Sequence, residues 1–234
     1  MTSDITQHLA GPTALITATF LIYWGATYLR KVTGIALLNP MVITIAAIIG
    51  MLKLTGLTYD DYRESGRMIE FWLQPAIVAL GLPLYNELSH IKRQFVTLLL
   101  TELAGCLTGI VSVVVIARWL GATPEVILSL APKSVSTPIA IEISREIGGI
   151  PALTSAIVVM VGMIGAMAGV KVMELWRIDR PVSQSLSMGT AAHVMGTNRL
   201  AEYGNRYGAY ATLGLILNGI LTAFLAGPVT ALLI

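Results

Sequence analysis

Ala131-Pro132-Lys133-Ser134-Val135-Ser136-Thr137-Pro138 interrupts an apolar segment that runs over Pro124–Ile147. Each of its two prolines removes a backbone donor and crowds the preceding helical turn, so one unbroken helix cannot contain both. Irregular backbone at membrane depth is tolerated only where protein buries it or where it lines a wet cavity, and an ionisable residue there indicates a functional site. The stretch therefore predicts a broken helix that carries a polar site around Lys133. The alternative is a kinked helix whose lysine snorkels to the membrane surface.

The composition indicates a membrane protein. Of the 234 residues, 55% are hydrophobic and only 12% are charged, whereas soluble domains average about 25% charged residues. No polar run is long enough to fold alone, so we expect an all-α polytopic protein with a single transmembrane domain over residues 1–234. Met1–Gly11 contains Asp4 and no Lys or Arg, which is not the basic start of a signal peptide, so we expect no cleavage. The net charge of +2 comes with scattered bases and predicts no nucleic-acid partner.

Apolar segments of roughly 20 residues are long enough to cross a bilayer. We mark eight of them, approximately at Pro12–Leu29, Gly34–Leu54, Met68–Leu88, Phe95–Leu120, Pro124–Ile147, Ile150–Trp176, Val182–Leu200 and Gly208–Ile234. The third, fifth and seventh are interrupted by Pro, Gly or hydroxyl residues, which predicts discontinuous or re-entrant helices that meet near the midplane of the membrane. The polar connection Thr55–Arg67 fits a short interfacial helix.

A weak internal repeat relates Gly34–Ile43 to Gly149–Val158, about half the chain apart. Transporters are often built from two structural repeats of inverted topology, so we predict repeats over about 12–120 and about 124–234. Lys and Arg mark cytoplasmic loops, but simple alternation of eight spans places Lys171, Arg177 and Arg180 outside. Making one broken segment re-entrant places that cluster inside, and the basic residues alone leave the two topologies open.

The chemistry around Lys133 favours an anion. Its hydroxyl neighbours are Ser134, Ser136 and Thr137, and a helix that restarts at Pro138 presents unpaired N–H groups and a partial positive charge. A small carboxylate suits such a site. The alternative is an internal ion pair, because a lone ammonium in apolar surroundings is costly. Its candidate partners are Glu102, Glu125 and Glu142.

A second polar site is predicted in the run Gly189–Thr197, where small and hydroxyl residues surround His193. Histidine titrates near neutral pH, so His193 is a candidate for proton coupling, and Glu102 in a neighbouring apolar segment is another. The alternative for His193 is a neutral side chain that bonds to a neighbouring helix. Asn39-Pro40 and Gln74-Pro75 place an amide at a helix break, where it binds substrate or caps freed carbonyls.

Two pairs of small residues, Gly105 with Gly109 and Gly165 with Gly169, have the spacing that lets membrane helices approach closely. They predict packing inside the chain or across a homodimer. Three dispersed histidines and one cysteine, Cys106, form no metal or disulfide pattern. No nucleophile, base and acid occur together, so we expect neither enzymatic activity nor a cofactor.

Several blocks of the chain are similar to signature blocks of the LrgB/CidB family. They occur in order over nearly the whole chain: Leu38-Asn39-Pro40, Leu73–Leu80 with Pro83-Leu84-Tyr85, Pro132–Ala140, Ile147–Pro151 and Gly189–Thr197. The resemblance implies one of two functions in the bacterial inner membrane. The protein either regulates murein hydrolase export and cell lysis with a small LrgA/CidA-like holin or antiholin partner, or carries small monocarboxylates such as pyruvate, glycolate, glycerate or lactate.

Between these two, a lysine flanked by prolines at broken helices favours a secondary transporter that works by alternating access, with the lysis regulator as the alternative. We expect a homodimer in the lipid bilayer, as the small-residue pairs predict. The residues assigned to carboxylate binding are Lys133, Ser134, Ser136, Thr137, Gly189, Thr190, His193, Gly196, Thr197, Asn39 and Gln74.

Overall fold

The structure is a computed structural model. It describes residues 11–34, 38, 40–72, 75, 78–79 and 81–234, without the side chains of 70, 81, 83 and 84. Within these ranges the regular elements are helices, and none is a strand. This confirms the all-α prediction. The chain divides into two compact units, Met1–Ala79 and Leu80–Ile234.

The first unit contains α1 (Pro12–Thr33), α2 (Pro40–Thr55) and α3 (Tyr59–Phe71), and α1 packs against both others. Gly34 ends α1 in the left-handed conformation, which glycine adopts at little cost. Helix α3 corresponds to the short helix predicted in the Thr55–Arg67 connection. Thr58 and Asp61 cap its start, and the hydrogen bonds that Thr58 donates to the carboxylate hold the pKa of Asp61 below its usual value.

The second unit carries the remaining helices. They are α4 (Gly81–Asn86), α5 (Leu88–Arg93), α6 (Phe95–Trp119), α7 (Pro124–Leu130), α8 (Thr137–Ile147), α9 (Pro151–Leu175), α10 (Pro181–Ala201) and α11 (Asn205–Leu233). By length and composition, α6, α9 and α11 are suited to crossing a membrane. Proline opens α7, α9 and α10, a position where its missing N–H costs nothing.

Helices α6 and α11 run side by side in the same direction. Near their starts, Leu98 packs with Tyr210. In the middle, Cys106 Sγ lies 3.4 Å from Thr222 Oγ1. Near their ends, Arg118 donates to the carbonyl of Leu233. We call the end of the unit where α6 and α11 begin its amino end, and the opposite end its carboxyl end.

Helices α7 and α8 form a hairpin that enters and leaves at the carboxyl end. Pro124, at the start of α7, and Ile147, at the end of α8, line one shallow pocket together with Ile234. The backbone N–H of Ile150 donates to Ser129 Oγ over 2.7 Å, which ties the returning chain to α7. The predicted break around Lys133 is therefore the tip of a re-entrant hairpin.

Helix α10 is a second hairpin, and it enters and leaves at the amino end. The chain turns at Ala192 and at His193, whose φ of 42° and ψ of −135° are not helical. A Cβ atom on Gly196 would lie 2.4 Å from the carbonyl oxygen of Met188, although eight residues span about 12 Å in a straight helix. The chain therefore folds back on itself. This confirms the interruption predicted within Gly189–Thr197.

The tips of the two hairpins are joined halfway along α11. Asn218 Nδ2 donates to the carbonyl of Ser134 in the first tip and to the carbonyl of Thr190 beside the second, each over 3.0 Å. Because α9 leads from the carboxyl end back to the amino end, the order is span, hairpin, span, hairpin, span. Discontinuous helices that meet in the middle are thus present in the second unit.

Eight hydrophobic segments and an inverted repeat are not confirmed. Two of the predicted segments, Pro124–Ile147 and Val182–Leu200, are hairpins instead of single spans, because their proline or glycine breaks reverse the chain. The boundary between the compact units lies at Ala79/Leu80, not near residue 120. That boundary reflects contacts and does not test a sequence repeat, so the repeats over 12–120 and 124–234 stay a prediction.

The close packing of α10 against α11 depends on Gly189. A Cβ atom there would lie 2.1 Å from the carbonyl oxygen of Ala211, and backbone cannot easily move aside. We expect Gly189→Ala to cost about 1–3 kcal/mol and to lower the Tm of the detergent-solubilised protein by roughly 2–10 °C. Gly109→Ala is the control, because a Cβ on Gly109 would meet no atom of the described residues within 4 Å. Equal melting of the two variants would contradict this packing.

Candidate functional site

The second unit contains a cavity of about 960 Å³, within the range of small-molecule sites. The cavity extends along α6 from Gln94 to Ser112. Its other walls are the first half of α10, the tip of the hairpin formed by α7 and α8, and the middle of α11. Its polar lining consists of Gln94, Thr97, Thr101, Glu102, Thr108, Ser112, Lys133, Ser134, Arg180, Ser183, Ser187, Thr190, Arg206, Asn218 and Thr222.

Lys133 lies in the first hairpin tip and lines this cavity. Its ammonium donates to Ser134 Oγ over 2.9 Å. Of the glutamates proposed as ion-pair partners, Glu142 pairs with Arg145 and Glu102 contacts Thr190. Within the described parts of the chain, no carboxylate lies within the 4.0 Å of Lys133 Nζ that a salt bridge requires. The internal ion pair is therefore absent among the described residues, and the anion site stays a prediction.

Glu102 is almost fully buried, with 1% of its surface exposed. Its two carboxyl oxygens lie 2.6 and 2.7 Å from Thr190 Oγ1, which also lies 2.7 Å from the carbonyl oxygen of Leu186. A hydroxyl has one hydrogen to donate, and these contacts offer it three acceptors. A protonated Glu102 would supply the missing hydrogen, because the acid would then donate to Thr190 and leave the Thr190 hydrogen for the carbonyl of Leu186. The geometry accommodates a neutral carboxyl group, as a proton-coupling role requires.

The structure separates His193 from the cavity. His193 is 3% exposed, and its Nε2 lies 2.9 Å from the carbonyl oxygen of Val158 on α9. Its ring packs so closely on Gly162 that a Cβ there would lie 2.6 Å from it. Among the cavity-lining residues His193 is absent, so the placement matches the alternative of a histidine that bonds to a neighbouring helix.

The other predicted binding residues divide in the same way. Of the carboxylate-binding set, Lys133, Ser134 and Thr190 line the cavity. Ser136 and Thr137 start α8, and Thr197 Oγ1 donates back to the carbonyl of His193 over 2.9 Å. Gly189 and Gly196 are close-packing positions, and neither belongs to the lining. Asn39 and Gln74 lie outside the described residues, and the binding roles of all these residues stay predictions.

The small-residue pairs also have different surroundings. Gly165 packs on Ala192, and Gly169 packs on Met188, so this pair joins α9 to α10 as predicted. Gly105 and Gly109 line the cavity instead. A Cβ on Gly105 would lie 3.4 Å from Thr190 Cγ2 on α10, whereas one on Gly109 would meet no atom of the described residues within 4 Å. Packing of this pair across a homodimer stays a prediction.

A family model described as the LrgB-like family matches residues 19–232. The chain belongs to the LrgB-like family. It is 34% identical over 204 residues to an uncharacterised Bacillus subtilis protein, YwbG, covering 87% of this chain and 91% of the relative. It is 31% identical over 198 residues to the antiholin-like protein LrgB of Bacillus mycoides, covering 85% and 86%. No solved structure matches the chain.

Membership confirms the resemblance carried by the Lys133 and His193 blocks, and together with the three long apolar helices it identifies a membrane protein. In this LrgB-family chain, sequence reasoning missed Asn218, Arg180 and Arg206. A single amide in the middle of the apolar α11 was a usable signal, because buried polar groups in membrane helices seek partners. The two arginines offered no such signal, since they stand in short connections like the other bases.

Proposed function

We propose that this LrgB-family protein is an antiholin-like regulator of cell lysis, a multi-pass protein of the bacterial inner membrane that acts with a small LrgA/CidA-like membrane protein. The observation that carries the proposal is the family match, with antiholin-like relatives aligned over 85% of the chain. From the sequence alone, this function is the alternative to monocarboxylate transport. The named relatives support it better than they support monocarboxylate transport.

A second candidate, transport of small monocarboxylates, is favoured by the cavity. The ammonium group of Lys133, which has no carboxylate partner among the described residues, and the buried carboxyl group of Glu102 line one polar cavity. The cavity lies at the meeting point of two hairpins that enter from opposite ends. Secondary transporters place their substrate sites at such discontinuous helices near the bilayer midplane. A regulator that acts only through a partner has no need of this arrangement. Enzymatic activity is not part of either proposal.

One experiment separates the two candidates. Purified protein in proteoliposomes is tested for uptake of pyruvate, glycolate and lactate, and in parallel a deletion strain is complemented and its lysis is followed with and without the small partner gene. The regulator predicts lysis control that disappears when the partner is deleted and survives Lys133→Ala, with no uptake. The transporter predicts uptake by the protein alone. Lysis control that is independent of the partner would contradict the first proposal, and absence of uptake would contradict the second.

A further inference from the structure

The amino end of the cavity is strongly positive. Arg180 and Arg206 line the cavity there together with Gln94. Arg180 directly precedes α10, Arg206 lies in the first turn of α11, and Gln94 directly precedes α6. Both arginines are exposed, and among the described residues neither has a carboxylate within salt-bridge distance. Two free guanidinium groups thus stand at the mouth of a polar cavity.

The surroundings of the two arginines reinforce their charge. Three helices begin at this end, and each presents unpaired N–H groups and the positive end of its dipole. Among the described residues of the lining, the one carboxyl group is that of Glu102, which lies deeper in the cavity than the arginines. A guanidinium fork binds carboxylate with two parallel hydrogen bonds, so the mouth suits the same ligand class as Lys133.

A polar route connects this mouth to the hairpin tip. Arg206 and Asn218 are both on α11, and twelve residues of helix correspond to about 18 Å. Between these levels the cavity is lined by Ser183 and Ser187 of α10 and by Thr101 of α6. An anion that leaves the arginines therefore meets hydroxyl groups before it reaches Lys133.

The distribution of basic residues indicates which side of the membrane the mouth of the cavity faces. The connections at the amino end carry Lys92, Arg93, Arg177, Arg180, Arg199 and Arg206. At the carboxyl end the corresponding bases are Arg118 and Arg145. Because Lys and Arg are concentrated in cytoplasmic loops, the amino end faces the cytoplasm. Because the hairpin of α7 and α8 returns to the carboxyl end, α9 brings Arg177 and Arg180 to the same end as Lys92 and Arg93.

We infer that Arg180 and Arg206 form an anion entry subsite at the cytoplasmic mouth of the cavity, where they concentrate a small carboxylate before it reaches Lys133. The inference rests on the proposed carboxylate transport for its ligand. A cleft lined by one sign of charge raises the local concentration of the opposite charge, and the effect weakens with salt.

Thiol labelling tests the subsite without requiring transport. In a Cys106→Ser background, which removes the one cysteine of the sequence, Ser183→Cys places a thiol on an exposed position of the cavity lining. Its labelling rate is measured with an anionic sulfonate and with a cationic trimethylammonium methanethiosulfonate. We expect the anionic-to-cationic ratio to fall by on the order of tenfold at low ionic strength when Arg180→Gln and Arg206→Gln are combined. Half-molar salt is expected to reduce the difference.

Lys171→Gln is the matched control, because Lys171 is a cation on α9 that is outside the cavity lining; its ratio is expected to stay within about twofold of the parent. Membrane-impermeant reagents are expected to label Ser183→Cys in inside-out vesicles and not in right-side-out vesicles. An unchanged ratio in the double arginine variant, or labelling only from the outside, would overturn the inference. If the ratio falls while wild-type proteoliposomes take up no carboxylate, the subsite stands and the transport function fails.

Discussion

If the protein transports carboxylates, Lys133→Ala is expected to reduce pyruvate or glycolate uptake in proteoliposomes by about 30-fold or more. Lys133 is the cation at the first hairpin tip, and no carboxylate among the described residues neutralises it. Removing one partner of a desolvated, hydrogen-bonded charge pair costs about 2 kcal/mol or more, and here the second partner is the bound substrate. Lys133→Arg keeps the charge in a different shape, so we expect an intermediate rate.

Cys106 provides a readout of binding that does not require transport. It lines the same cavity as Lys133 and is the one cysteine in the sequence, so pyruvate bound at Lys133 is expected to slow its modification by a small thiol reagent. The protection should be present in the wild type and in Lys171→Ala, and absent in Lys133→Ala. Equal protection of Cys106 in all three proteins would show that Lys133 does not bind pyruvate.

Thermal unfolding separates this role from a structural one. A charge that is taken out of water without an opposite charge destabilises the fold, and no carboxylate among the described residues pairs with Lys133. Lys133→Ala is therefore expected to melt at the wild-type temperature or above it. A large drop in Tm would mean that the lysine holds the hairpin tip together and would contradict an anion-binding role.

Some features of this site were predictable from the sequence because a single residue type produces them. Proline excludes an unbroken helix from the backbone alone, so the break around Lys133 was predictable without tertiary information. The second break was predicted from glycines and a histidine, and its position was right. The direction in which His193 faces was not predictable, because it depends on how α10 turns back and packs on Gly162.

The hydrophobic pattern of the sequence could not predict the hairpins either, because they also depend on tertiary contacts. An apolar segment such as Pro124–Ile147 has the length of one span, and nothing in its composition states whether the chain continues or returns after the break. What decides is contact between distant residues, such as the bond from Ile150 to Ser129. The same holds for Asn218, whose two acceptors come from different hairpins.

Asn218→Leu is expected to be the most destabilising single change in the cavity wall. The amide of Asn218 is buried, and its two hydrogens satisfy the carbonyls of Ser134 and Thr190. A leucine of similar size keeps the packing volume and leaves both carbonyls unsatisfied. Each buried unsatisfied group costs about 1–3 kcal/mol, so the change is expected to cost about 2–6 kcal/mol and to lower Tm by roughly 5–20 °C.

Asn205→Leu is the matched control, because Asn205 is an exposed amide at the start of the same helix, and its effect on Tm is expected to be small. The two variants also separate anchoring of the tips from a general effect on α11. If Asn218 holds the tips in register, Asn218→Leu should abolish the protection of Cys106 by pyruvate even at temperatures where the protein stays folded, since Lys133 and Thr190 then lose their common anchor. Retained protection together with a wild-type Tm would show that the hairpins meet without help from Asn218.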